Sequence, residues 1–302
     1  MTPPLGTGRP RPEFHLFLPQ MRLSPDALVA RARAAETSGF DGIALMDHLV
    51  PPGAPDQPVF EAFTTATWLA AATDRLRLGH LVLCDGFRHP AVLARQAVTL
   101  DHLSGGRYEL GIGSGSTPAE LVASGFEVAG AADRRRRLHE TLELLTRFWT
   151  GEPVHYQGSF FQVDGVRQLP VPRERIPILI GGTGVETTEL VARYADWWNV
   201  PVHQLDRWAA ARDRVGTARV SVQVLVTLIT DQSRREEVVA LASRRFGRMG
   251  EVGHLVGSGA EIAPRLEALA AEGAERIYTW FTDFAPPETL AAFGGEVIAA
   301  MG

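Results

Sequence analysis

The sequence predicts a (β/α)8 TIM barrel with an inserted segment around residues 150–176. Three observations carry that expectation. Strand and helix patterns alternate along nearly the whole chain. Eight apolar runs have strand length, and each is followed by a helical pattern. The runs are apolar almost continuously rather than at every second residue, as parallel strands covered on both faces are. The 302 residues, 45% of them hydrophobic, are ample for one such barrel. A doubly wound sheet is the alternative, but it would usually need a domain boundary, and no linker divides the chain.

The elements follow in order. Residues 1–13 read as a flexible N-terminal extension, and 14–302 as a single barrel domain. "FHLFLPQ" (14–20) is the first strand. The helix after it takes Ser24 as N-cap, Pro25 at its first position and Gly39 as its stop. "GIALMD" (42–47) is the second strand and residues 59–74 an apolar-rich helix. "LRLGHLVLC" (76–84) is the third strand, with a helix from His89 to a closing Gly pair. "RYELGIGSGS" (107–116) is a fourth strand running into a glycine-rich loop, and a long helix runs from about Ala132 to Trp149.

The rhythm breaks in the Pro/Gly-rich stretch that forms the expected insertion. It resumes with "PILIGG" and the helix "VETTELVARYAD", then with "WWNV" and the helix "QLDRWAAARDRV". "VSVQVLVTLI" (220–229) is the seventh strand, followed by helical patterns at 232–250 and 259–273. "ERIYTWF" (275–281) is the eighth, before a closing helix.

Barrel enzymes place their chemistry at the C-terminal ends of the strands. The residues standing there are Gln20; Asp47 and His48; Cys84 and Phe87; Gly113, Ser114 and Gly115; Gly181, Gly182, Thr183 and Gly184; and Trp280 and Phe281. The two glycine loops each precede a helix. Amides without a Cβ in the way, backed by a helix N-terminus, suit an anionic phosphate. Neither loop is a Walker A motif, because no Lys follows, and "GIGSGS" has G-x-G-x-G rather than G-x-G-x-x-G spacing. Simple turns are the plainer reading of each loop taken alone.

Asp47 and His48 are adjacent, and neighbouring strand side chains point to opposite sides. They are therefore expected to do separate jobs rather than to pair, either as two polar strand ends or as a cofactor contact and an acid–base group. The run Arg134–Arg137 fans around a helix and reads as a solvated or salt-bridged face. Cys84 reads as a small core residue. Phe87, Trp198, Trp280 and Phe281, with Gln20, are candidates for a mainly apolar substrate pocket.

Composition excludes several functions. A net charge of −5 argues against a nucleic-acid partner. The chain holds no Lys, so Schiff-base chemistry is out. A single Cys forbids an intrachain disulfide. The start has no apolar signal, and no apolar run could span a bilayer, so a cytoplasmic protein without membrane association is expected. No metal motif appears, and no G-x-S-x-G elbow.

Several stretches together resemble the luciferase-like monooxygenase superfamily, nearest its coenzyme F420-dependent oxidoreductases. They are "ARAAETSGFDGIALMDHL", "RLRLGHLVLCDGFRHPAVLARQAVTLDHLSGGRYELGIGSG", "RLHETLELLTRFWTGEPVHYQGSFF", "PILIGGTGVETTELVARYADWWN" and "GAERIYTWF". They cover nearly the whole chain in the family's order. The resemblance implies a deazaflavin ring in the barrel mouth and a phosphate on Gly113–Gly115 and Gly181–Gly184. It implies a ring face supported by Leu81, Val82 and Cys84, with a cis peptide near Leu81–Val82.

It also implies that Asp47 contacts the ring and that His48 faces a small organic substrate. FMN is the alternative cofactor, serving a monooxygenase fed by a separate reductase. A catalytically silent cofactor- or subunit-binding barrel is the third reading. Family members are commonly homodimers. The family's glucose-6-phosphate dehydrogenases carry a Glu and a Trp where this chain has Ser116 and Pro52, and they use lysines it lacks, so that activity is not implied.

Overall fold

The computed structural model describes residues 11–127, 130–247 and 252–302. Its strands and helices alternate as β1 (Glu13–Phe17), α1 (Pro25–Thr37), β2 (Gly42–Leu45), α2 (Ala62–Ala72), β3 (Arg77–His80), β4 (Leu83–Cys84), α3 (Pro90–Leu103) and β5 (Leu110–Gly113). Next come α4 (Pro118–Ala123), α5 (Ala131–Phe148), β6 (Val154–Gln157), β7 (Gln162–Val166), β8 (Ile178–Gly181), α6 (Val185–Tyr194), β9 (Trp197–Val200) and α7 (Trp208–Ala211). The chain ends with β10 (Arg219–Leu228), α8 (Arg235–Phe246), β11 (His254–Gly257), α9 (Gly259–Ala271), β12 (Arg276–Phe281) and α10 (Pro287–Phe293).

The strands pair in parallel in the order β3-β2-β1-β12-β10-β9-β8-β5-β4. Bonds from Leu78 N to Arg107 O and from Glu109 N to Leu78 O, both 2.9 Å, bring β3 against the start of β5 and close the ring. β3 and β4 are two pieces of the expected third strand, interrupted where the Leu81–Val82 peptide is cis. The insertion is the antiparallel hairpin β6–β7. Sequence periodicity misses β11, a short strand laid against the upper half of β10, and it misses α4. It expects one continuous helix at 204–215, where the chain makes 3-10 turns around the four-residue α7.

Of the expected N-terminal extension, residues 1–10 lie outside the described residues. Arg11 already pairs with Asp41, and Glu13 opens β1, so 11–13 are part of the fold. Residues 248–250 of the expected helical region at 232–250 also lie outside the description.

Local signals place the elements. Ser24 accepts the Ala27 amide at 3.2 Å and Pro25 occupies the first turn of α1. Ser258 and Glu261 form a reciprocal capping box on α9. The core has two layers. The outer one, between strands and helices, holds Phe14, Ile43, Leu110, Trp198, Ile277, Phe281 and Phe293. The inner one, inside the ring, holds Phe17, Ala44, Met46, Leu179, Trp197 and Tyr278. The two layers take alternate residues of the same strands, so one step along a strand separates the barrel axis from the helical shell.

Candidate active site

The C-terminal mouth of the ring opens into a cavity of about 850 Å³, within the usual range for a bound organic molecule. Glycines make the room on one side. A Cβ on Gly113 would stand 2.9 Å from Val82 Cγ2, and one on Gly115 2.9 Å from Cys84 Sγ, with Gly115 held at φ +86°. Among the described residues, the amides of Gly115 and Ser116 donate to no protein acceptor. Ser114, Gly181 and Gly182 continue this side, with Leu81, Val82 and Cys84 beside it. Burial pushes the Cys84 thiol up to about 11, so it is not a nucleophile at neutral pH.

His48 and Asp47 diverge as strand geometry requires. His48 Nδ1 lies 2.7 Å from Glu120 Oε2. The other oxygen of Glu120 accepts the amides of Leu49 and Val50 at 2.5 and 2.9 Å. Glu120 belongs to α4 and is 7% exposed in its side chain. An ionised carboxylate can only accept, so Nδ1–H donates, and in the neutral ring Nε2 is left to exchange a proton.

Asp47 turns the other way. It accepts Cys84 N at 2.8 Å and the Arg88 guanidinium at 2.6 and 2.9 Å. Arg88 also reaches Glu61 at 2.7 Å. Burial alone would ease its proton away, but the Asp47 carboxylate overrides this and raises its pKa. Arg137, from the arginine run on α5, bonds both the carbonyl and the buried carboxylate of Asp85, so this face is salt-bridged inward at that position.

Phe87, Trp280, His48, Asp47, Leu81, Val82 and Cys84 all line the cavity. Trp198 and Phe281 do not. Both point outward: Trp198 donates its indole N–H to Gly182 O at 2.8 Å, and Phe281 packs edge-on against Phe293. Strand parity is the reason, since Trp197 and Trp280 take the inward positions next to them. Gln20 is fully buried and braces the second strand end, exchanging bonds with Met46 and donating to Phe60 O. Thr183 is also drawn away from the cavity, donating its amide and hydroxyl to Gln204, and Gly184 caps α6.

Sequence reasoning missed Glu120 and Arg88 as site residues. Only the fold brings Glu120 to His48, across 72 positions. The sequence signal available for Arg88 was its place directly after the third strand end.

Residues 11–296 match the family model described as luciferase-like monooxygenase. A similar curated protein is an F420-dependent glucose-6-phosphate dehydrogenase of Microbacterium testaceum, 34% identical over 176 residues, 58% of this chain and 52% of the relative. The chain thus spans about half the length of the curated relatives it matches. A solved F420-dependent secondary alcohol dehydrogenase, in complex with an F420–acetone adduct, superposes with TM-score 0.80 at 18% identity, covering 96% of this chain and 99% of that one. An EDTA monooxygenase from Chelativorans sp. BNC1 also superposes with TM-score 0.80, at 15% identity, covering 97% and 94%. These structural likenesses establish a shared TIM-barrel fold.

Proposed function

The chain belongs to the luciferase-like monooxygenase family, and from that premise we propose that it is a coenzyme F420-dependent oxidoreductase acting on a small organic substrate. The observation that carries this reading is His48, fixed by Glu120 at the lip of a cavity whose glycine sides suit a phosphate-bearing ring cofactor. The F420-dependent names of curated relatives support it.

The residues fit such a group. The amides of Gly115 and Ser116 would receive a phosphate, with Gly113, Ser114, Gly181 and Gly182 leaving room beside it and Thr183 and Gly184 fixing the turn into α6. Leu81, Val82 and Cys84 would lie along the ring. Asp47 would set that face from below, by holding Cys84 N and Arg88. When bound, the deazaflavin supplies hydride exchange at C5. His48 Nε2 then gives or takes the proton on the substrate oxygen, and Glu120 keeps Nδ1–H in place so that Nε2 is the exchanging atom. The apolar inner layer under the mouth would exclude water from the floor of the cavity where the ring would lie. The partners that go with this reading are a second copy of the chain and, if the cofactor were FMN, a reductase supplying it reduced. Among the described residues no helix is long and apolar enough to cross a membrane.

Titration of the purified protein with F420 and with FMN, read by fluorescence quenching, tests the reading. Saturable micromolar F420 binding supports it. Binding of FMN alone would replace it with the flavin monooxygenase alternative.

A further inference from the structure

The side of the cavity across the ring from the glycine loops is built from the ends of β1 and β12 and from α8, and the acid–base scheme leaves it unused. It carries Arg22, Arg244 and Arg245, together with Trp280, Phe246 and Phe284. Both carboxylates that line the cavity are already engaged, Asp47 by Arg88 and Glu120 by His48 and two amides. Neither Arg22 nor Arg244 has an ion pair or a side-chain hydrogen bond among the described residues. Among the described residues Arg245 donates to Thr282 O, at 3.0 Å, and lies over the Phe284 ring at 5.7 Å. This side therefore holds unneutralised positive charge facing a space large enough for a ligand.

Backbone geometry singles out the same wall. The non-glycine residues at positive φ among the described residues are Arg22 (60°), Phe284 (64°) and Ala285 (52°). Arg22 is pinned there by its amide bond to Pro58 O at 3.0 Å and by the Met21–Val59 bridge beside it. Phe284 and Ala285 form the turn out of β12. Left-handed conformations of bulky residues are unfavourable and concentrate where a ligand is clamped. Trp280 stacks edge-on with Phe17 and Phe246, and its buried indole N–H finds no acceptor among the described residues.

We propose that the substrate is an organic anion, a carboxylate or phosphate carried on an apolar or aromatic body. The anion sits against Arg22, Arg244 and Arg245, and the body lies on Trp280, Phe246 and Phe284. Guanidinium forks match both anions in geometry, and the chain's exclusive use of Arg gives the wall charge that neutral pH cannot remove. This inference rests on the oxidoreductase reading for the reaction it serves, but not for the binding it predicts.

The test uses 2-naphthoate and its neutral counterpart 2-naphthamide, titrated calorimetrically into the full-length protein saturated with F420. Naphthoate should bind at least ~10-fold tighter, with a preference that shrinks as salt rises. The Arg22→Gln/Arg244→Gln pair should bring the ratio near one while F420 affinity stays within about two-fold. The single variants serve if the double variant does not fold. Equal binding of the two probes to the unsubstituted protein would overturn the proposal. So would a loss of F420 affinity in the variants that matches their loss of naphthoate affinity, since the arginines would then be holding the cofactor's own anions. If F420 does not bind at all, the cofactor reading fails separately, and the same probe pair on the cofactor-free protein decides the wall.

Discussion

The two ends of the barrel interior are built from the same residue types and put them to opposite uses. At the N-terminal end, Arg276 is 1% exposed and bonds Glu13 at 2.6 Å and Glu109 at 2.5 Å, and its guanidinium lies 3.7 Å above the Trp197 ring. Burial opposes the charge on Glu13, but His15 and Arg276 hold its carboxyl well below the usual range. Glu109 is lowered against its burial in the same way, mainly by Arg276. Burial, aided by Arg276, pushes the His15 imidazole down. Every charge there is spent on another protein group. At the C-terminal end the carboxylates are also spent, on Arg88, His48 and loop amides, but a histidine nitrogen and two guanidinium groups are left over. What separates a plug from a reactive mouth is therefore the remainder after pairing, not the number of ions.

The comparison can be broken most forcefully at the plug. Arg276→Met strands the buried carboxylate of Glu109 and the half-buried one of Glu13 and should cost about 3–5 kcal/mol in urea denaturation; a loss within ~1 kcal/mol would mean that the lower end is no structural plug. At the mouth, His48→Ala should lower kcat by about 10²-fold, with melting temperature and cofactor affinity nearly unchanged. Undiminished turnover on a screened alcohol and carbonyl panel would remove its proton-transfer role.

Buried imidazoles give a third, smaller effect. Burial pushes His80, wedged between Phe63 and Tyr108, down to about 4. The unfolded chain takes up that proton near the ordinary value of 6.5, so between the two values the unfolded state holds more protons and stability falls as pH falls. The loss from pH 7 to pH 5 should be on the order of 2 kcal/mol for this residue. His80→Leu should flatten that part of the pH dependence in paired urea titrations. Smallest is Glu120→Gln, which keeps an acceptor for Leu49 and Val50 but removes the anion beside His48. It should reduce kcat about 10-fold at unchanged KM, and an equal rise in KM would point to a collapsed pocket instead.

The barrel itself was legible because eight apolar runs and their helices obey local rules that tertiary contacts only reinforce. Strand parity was not. Runs such as "WWNV" and "RIYTWF" are apolar on both faces, so hydrophobicity does not say which tryptophan or aromatic faces the axis, and Trp198 and Phe281 belong to the shell instead. Polar neighbours held the answer: Asn199 and Arg276 lie on the inward side, and counting by two from them gives Trp197 and Trp280. That Asp47 and His48 do not pair with each other was legible from alternation alone, and the structure shows them diverging to separate partners. Their partners were not, because Glu120 and Arg88 meet them only through the closure of the ring.

β12 carries inward, in six residues, Arg276 in the plug, Tyr278 in the inner layer and Trp280 on the anion wall. One short ruler thus measures out both the stability of the base and the selectivity of the mouth. A one-residue slip of its register would swap Arg276 for Ile277 and Trp280 for Phe281 at one stroke. A change in the length of that strand keeps both of its faces in place only when it comes in a step of two.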